Sequence, residues 1–116
     1  MSRSPAERLQ DILDAIARAR IADERMTQAE SMGDEEGVQI AFEAILHNLF
    51  VIGEAVKAVP ASILDSAPET PWSDIAALRD VIGHHYHRIV PEIIHRTVQG
   101  DLAPLEKATS TLLAGL

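Results

Sequence analysis

The chain has 116 residues and sets 18 acidic side chains against 10 basic ones, for a formal charge of -8 at neutral pH. That balance excludes broad coating of nucleic acid and favours a basic protein partner, although a focused phosphate site remains open. There is no cysteine, which excludes a disulfide framework or thiolate metal site and makes a reducing cytoplasm the expected compartment.

Hydrophobic residues make up 47 % of the chain and aromatics only 3 %. Ala, Leu, Ile and Val dominate, as suits a helical core. The length predicts one domain over residues 1–116, with a core shallow enough to call for a partner. Glu7, Arg8 and Asp11 interrupt any leader-like apolar run. No stretch reads as the roughly 20 apolar residues that span a bilayer, so no membrane role is expected.

Ser4-Pro5-Ala6-Glu7 predicts a helix start: Ser4 as cap, Pro5 at the first helical position, Glu7 closing a capping box. Leu9, Ile12, Leu13 and Ile16 follow at three-and-four spacing, with Ala19 extending the stripe. This helix should fray between Arg25 and Gly33. Gly33 to Gly37 reads as a turn, with Asp34 a candidate cap.

A second helix is expected from about Glu35 to Val59. Its Val38, Phe42, Ile45, Leu49, Ile52, Val56 and Val59 form a coiled-coil-like seam. Leu46, Phe50 and Gly53 widen the apolar face. About 25 residues would span roughly 37 Å. The spacing therefore predicts packing on the chain's own bundle on one side and on a second subunit on the other. His47 and Asn48 within it read as satisfied polar groups.

Pro60 ends that helix, and residues 60–64 suggest one short turn. Residues 67–71 form the main loop, after which Thr70 and Pro71 should cap and start a helix anchored by Trp72. Ile75, Leu78, Arg79, Ile82, Tyr86 and Ile89 would share one side of it. Pro91 begins another helix, closed by Gln99-Gly100, and Asp101 caps a last one through Leu113. The expected fold is all-α, a bundle of four or five helices.

Against the acidic background stands a basic island. Four of the five histidines lie between His84 and His95, and Arg79, Arg88 and Arg96 lie between 79 and 96, opposed there only by Asp80 and Glu92. Such an island suits a phosphate site, although cations also suit a helix end. Arginine offers a planar fork that matches phosphate oxygens. Histidine exchanges a proton near neutral pH. Together they meet the minimum needs of metal-free RNA cleavage, with imidazole activating a ribose 2′-OH and guanidinium stabilising the phosphorane.

On an unbroken helix, His84 would sit about 140° around from Arg79. Convergence therefore needs a break near Gly83 or a site shared by two subunits. His84, His85 and His87 could tempt a metal, but they point apart on a helix and no acid pair or cysteine joins them. No metal and no cofactor is expected.

The Arg79-to-Tyr86 segment, an Arg-x4-His-x-Tyr pattern, resembles the HEPN superfamily and its HepT-like toxins. Pro71-Trp72-Ser73-Asp74-Ile75 and Ile52-Gly53-Glu54-Ala55 fit runs of that group, and Asp101 to Leu105 fits its C-terminal region with one extra residue. The resemblance implies a homodimeric helical bundle and a metal-independent endoribonuclease toxin with Arg79 and His84 as catalytic pair. It further implies a cognate antitoxin of the minimal nucleotidyltransferase family, which transfers AMP from ATP to Tyr86. Asp80, where a polar residue often Asn is usual, would orient Arg79 or cap a helix. His85, His87 and Arg88 are candidate RNA contacts. The alternative is a non-catalytic helical partner of such a nucleotidyltransferase.

Overall fold

A computed structural model describes residues 3–116. Its order is α1 (Pro5–Ser31), α2 (Glu35–Ala58), α3 (Ala61–Leu64), α4 (Trp72–His85), a 3₁₀ turn (Tyr86–Arg88), α5 (Pro91–Gly100) and α6 (Leu102–Ala114). No strand occurs among the described residues, and α3 is a single turn, so the bundle is all-α with five substantial helices.

The capping box at the start of α1 is formed in both directions. Ser4 Oγ accepts from the Glu7 N–H at 3.1 Å, and Glu7 Oε1 accepts from the Ser4 N–H at 2.9 Å. The Ser4 N–H first, and the Ser4 hydroxyl after it, hold the Glu7 carboxyl below its usual range. Leu9, Ile12, Ile16, Ala19 and Met26 are fully buried along one stripe. Gly33 turns the chain with a φ of 68°, a conformation that favours glycine. Asp34 Oδ1 then caps α2 by accepting from the Gly37 N–H at 3.0 Å.

α1 and α2 pack together as a helical hairpin in a body of 46 × 30 × 27 Å. The α2 seam, Phe42, Ile45, Leu49, Ile52, Val56 and Val59, is buried within the chain. α1 covers one flank and α4 the other. The apolar seam therefore does not itself demand a second subunit, which corrects the sequence argument for one: two neighbours within one chain suffice. The sequence also understated α2 in another respect. By length and composition alone it is apolar enough to cross a membrane, yet its seam is spent on the bundle core.

α6 lies on α1, and α5 bridges α1, α2 and α6. Trp72 is buried, and its Nε1 donates to the Ala67 carbonyl at 3.0 Å, fixing the loop onto the start of α4. Two expected caps do not form. Thr70 makes no side-chain cap, because Pro71 stands outside the helix and Trp72 is its first residue. Asp101 adopts helical dihedrals and makes no side-chain cap bond, so α5 passes to α6 through a nearly helical corner.

Candidate functional site: the α2–α4 crossing and the turn beyond it

Where α4 crosses α2, the two backbones come close. A Cβ added at Gly53 would lie 2.7 Å from the Arg79 amide nitrogen and 3.1 Å from its Cβ. Real side chains do not tolerate that approach, so glycine is what lets Arg79 sit on α2. Phe50, Gly53, Glu54 and Lys57 recur at helical spacing on this face of α2. They meet Arg79, Asp80 and Gly83 of α4.

The Arg79 guanidinium is bracketed on three sides. Its Nε donates to Glu54 Oε1 at 2.6 Å. Its Nη1 donates to Asp80 Oδ1 at 3.3 Å. Its central carbon lies 5.4 Å from the centroid of the Phe50 ring, a cation–π distance. Lys57 Nζ comes within 4.0 Å of Asp80 Oδ1 and extends the network. The Glu54 bond first, and the Asp80 bond after it, raise the Arg79 pKa further, so the guanidinium stays charged. Sequence reading had placed Asp80 beside Arg79 but missed Glu54. Glu54 and Arg79 are 25 apart in sequence, and only the α2–α4 crossing joins them.

α4 runs without interruption through Gly83 and ends at His85. Of the two ways to bring Arg79 and His84 together, a break near Gly83 or a shared site, the break at Gly83 does not occur, because glycine permits a break without compelling one. The chain leaves the α-helix at His85, with φ -129° and ψ 18°, into the 3₁₀ turn. Arg79 and His84 therefore lie about 140° apart around one helix. The bonds of Arg79 run to α2 and to Asp80, and none runs to His84. One protomer does not bring the pair together on one face.

His84, His85, Tyr86, His87 and Arg88 are all exposed. The Tyr86 and His87 rings lie 4.5 Å apart between centroids, tilted at 41°. His84 and His85 stand 6.4 Å apart, edge to face. Tyr86 belongs to the turn, so it does not continue the face of Ile75, Leu78 and Ile82 as the spacing predicted. Ile89 lies beyond the turn. Among the described residues, no group of three or more His, Asp or Glu side chains is placed to hold a metal. A groove of about 790 Å³ between the α3–α4 loop, α4 and α6 includes none of these motif residues.

His95, counted in the basic island, serves a different contact. Its Nδ1 lies 2.8 Å from Oδ1 of the buried Asp23 on α1, and Gln99 Nε2 donates to Oδ2 of the same carboxylate at 2.9 Å. The sequence held a signal for this. Asp23 falls in the stripe of Ile16, Ala19 and Met26, where a carboxylate needs partners. With Asp23→Ala, hydrogen exchange should quicken in the α5 amides and remain unchanged at the centre of the α1–α2 hairpin. Equal exchange in α5 would show that the contact does not fasten that helix. Asn48 is buried with its amide donating to the Ala44 carbonyl at 2.9 Å, and His47 is exposed.

These features define a class: an all-α bundle whose fourth helix and the turn after it carry an Arg-x4-His-x-Tyr motif, with its arginine seated on the second helix. The family described as "Ribonuclease HepT-like" matches residues 7–112, and the chain belongs to it. The chain is 36 % identical over 69 residues to a Methanocaldococcus jannaschii protein whose name assigns it provisionally as an RNase. It is 34 % identical over 70 residues to a similarly named protein of Caldanaerobacter subterraneus. These matches cover 56 % and 60 % of this chain and 57 % and 62 % of the relatives. It is 29 % identical over 106 residues to "Probable ribonuclease HepT" of Thermococcus cleftensis, covering 91 % of this chain and 93 % of that protein. No solved structure matches.

Proposed function

We propose that this chain is the toxin of a two-component toxin–antitoxin pair and acts as a metal-independent endoribonuclease. Arg79 binds the scissile phosphate. His84 takes the proton of the ribose 2′-OH as that oxygen attacks phosphorus. The bond from phosphorus to the 5′-oxygen breaks, the leaving oxygen acquires a proton, and a 2′,3′-cyclic phosphate and a 5′-hydroxyl remain. Metal-free positioning of this kind uses a charged fork and an imidazole near neutrality.

The observation that carries the reading is the motif helix itself, with Arg79 held charged on α2 and His84 and Tyr86 exposed at its far end. Because α4 is unbroken between them, the working site pairs Arg79 of one subunit with His84 of a second copy. Val81, Val90 and Ile93 are exposed apolar groups around the motif, and they form the face on which two copies meet. A nucleotidyltransferase antitoxin silences the toxin by AMP transfer. The Tyr86 phenol oxygen attacks the α-phosphorus of ATP, and pyrophosphate leaves. The bulky anion so placed beside His84 and His87 would block and repel an incoming RNA backbone. His85, His87 and Arg88 supply further contacts to that backbone.

The test uses chelator-treated protein and paired RNA and DNA oligonucleotides of one sequence. The RNA should be cut to cyclic-phosphate ends and the DNA left intact. Cleavage that disappears with chelator, or that extends to DNA, would overturn the mechanism. Co-production with the nucleotidyltransferase should add AMP to the peptide containing Tyr86.

A second reading is favoured by one observation: two carboxylates, Glu54 and Asp80, already neutralise Arg79. In that reading the chain is a non-catalytic helical partner of the nucleotidyltransferase. It predicts tight association with the enzyme and no growth defect when this chain is produced alone.

A further inference from the structure

Glu54 lies outside the Arg-x4-His-x-Tyr motif and on a different helix, yet it makes the shortest contact that Arg79 has, 2.6 Å from Oε1 to Nε. The groups around it form a mount. Phe50 lies at cation–π distance from the guanidinium. Gly53 admits the α4 backbone. Asp80 Oδ1 accepts a hydrogen bond from Nη1 at 3.3 Å. With Nε and Nη1 engaged, Nη2 has no protein acceptor among the described residues, and its two N–H donors are left for an incoming anion.

An exposed arginine carries about 2 kcal/mol of rotamer entropy. A free side chain would have to lose that freedom at each turnover; one already fixed by Glu54 does not.

We propose that Glu54 is the positioning residue of the site: its carboxylate fixes Arg79 through Nε so that the Nη2 edge faces the scissile phosphate. The assignment rests on the ribonuclease reading above. It makes the Ile52-Gly53-Glu54-Ala55 run of α2 a functional part of the site, with Gly53 providing the approach and Glu54 the hold. The sign of the effect is specific. If the carboxylate merely shielded the arginine from anions, its removal would raise RNA affinity and rate; as a mount, its removal lowers the rate.

The experiment compares wild type, Glu54→Ala, Glu54→Gln, Arg79→Ala and the Glu54→Ala/Arg79→Ala double variant. Steady-state cleavage of a short RNA is measured alongside the Arg79 Nε–Hε signal by NMR. Glu54→Ala should lower kcat by about 10- to 100-fold with little change in KM, and its Arg79 Hε should exchange rapidly with water. Glu54→Gln keeps an oxygen acceptor for Nε and should retain kcat within about threefold together with a slowed Hε. In the Arg79→Ala background, removing Glu54 should cost nothing further, because its effect passes through the guanidinium.

A Glu54→Ala protein that cleaves as fast as wild type, or faster, overturns the assignment and leaves the ribonuclease reading standing. A further loss in the Arg79→Ala background overturns it too. A wild type with a slowed Arg79 Hε and no RNA cleavage overturns the ribonuclease reading, and the positioning role falls with it. Glu54→Gln guards against misfolding: a folded variant with rapid Hε exchange and full activity would also sink the proposal.

Discussion

His84→Ala should lower RNA cleavage by about 10²- to 10⁴-fold, the range typical of removing a general acid–base group. The loss should appear in the chemical step and therefore in single-turnover rates, with RNA affinity little changed. His84 is exposed at the end of α4, with the His85 ring 6.4 Å away, so truncation opens no buried cavity and the thermal midpoint should hold.

The same residue decides how the site is assembled. Arg79 and His84 point about 140° apart on one helix. In a site shared across a two-fold, mixing Arg79→Ala with His84→Ala subunits leaves each mixed dimer one site with both groups intact. Activity should then return to about a quarter of wild type, since half of randomly paired dimers are mixed. Mixed dimers as inactive as the two parents would place the whole site in one subunit, and the geometry of α4 would have to change to allow it.

Gly53→Ala should have the second largest effect. The new methyl would meet the Arg79 backbone nitrogen at 2.7 Å. Backbone cannot swing aside as the end of a flexible side chain can, so α4 must lift from α2. Overpacking of this kind costs about 1–3 kcal/mol, which urea denaturation would measure as a lower midpoint at unchanged slope. It should also slow cleavage, because the lift withdraws Arg79 from Glu54 and Phe50. A Gly53→Ala protein of wild-type stability would show that the helices cross with more room than the structure gives them.

Local features were the legible ones. The Ser4–Glu7 capping box, the α2 seam and the Trp72 anchor each depend on residues within a few turns of one another, and periodicity reports such neighbours directly. The positions of Arg79 and His84 on α4 were legible too, through the motif. Contacts between distant residues were not. Glu54 and Arg79 are 25 apart in sequence, and Asp23 and His95 are 72 apart. Glu54 looks like an ordinary solvated charge until the helices are placed, and Asp23, though its place in the apolar stripe demands a partner, does not say which. The missing break at Gly83 has a similar origin: a permissive residue yields when the hydrogen bonds of the helix around it are intact. The Thr70 and Asp101 caps failed because one chain entered its helix a residue late and the other never left helical dihedrals.

α2 carries the core on one flank, through Ile45, Leu49 and Ile52, and the arginine mount on another, through Phe50, Gly53 and Glu54. It works as an axle gripped at two points around its circumference. Any exchange of bulk against α1 that makes it roll by a few degrees also swings Glu54 along an arc beneath the guanidinium. Interior substitutions far from the motif should therefore retune the proposed RNA cleavage without unfolding the chain, and the two flanks should tolerate change only in step.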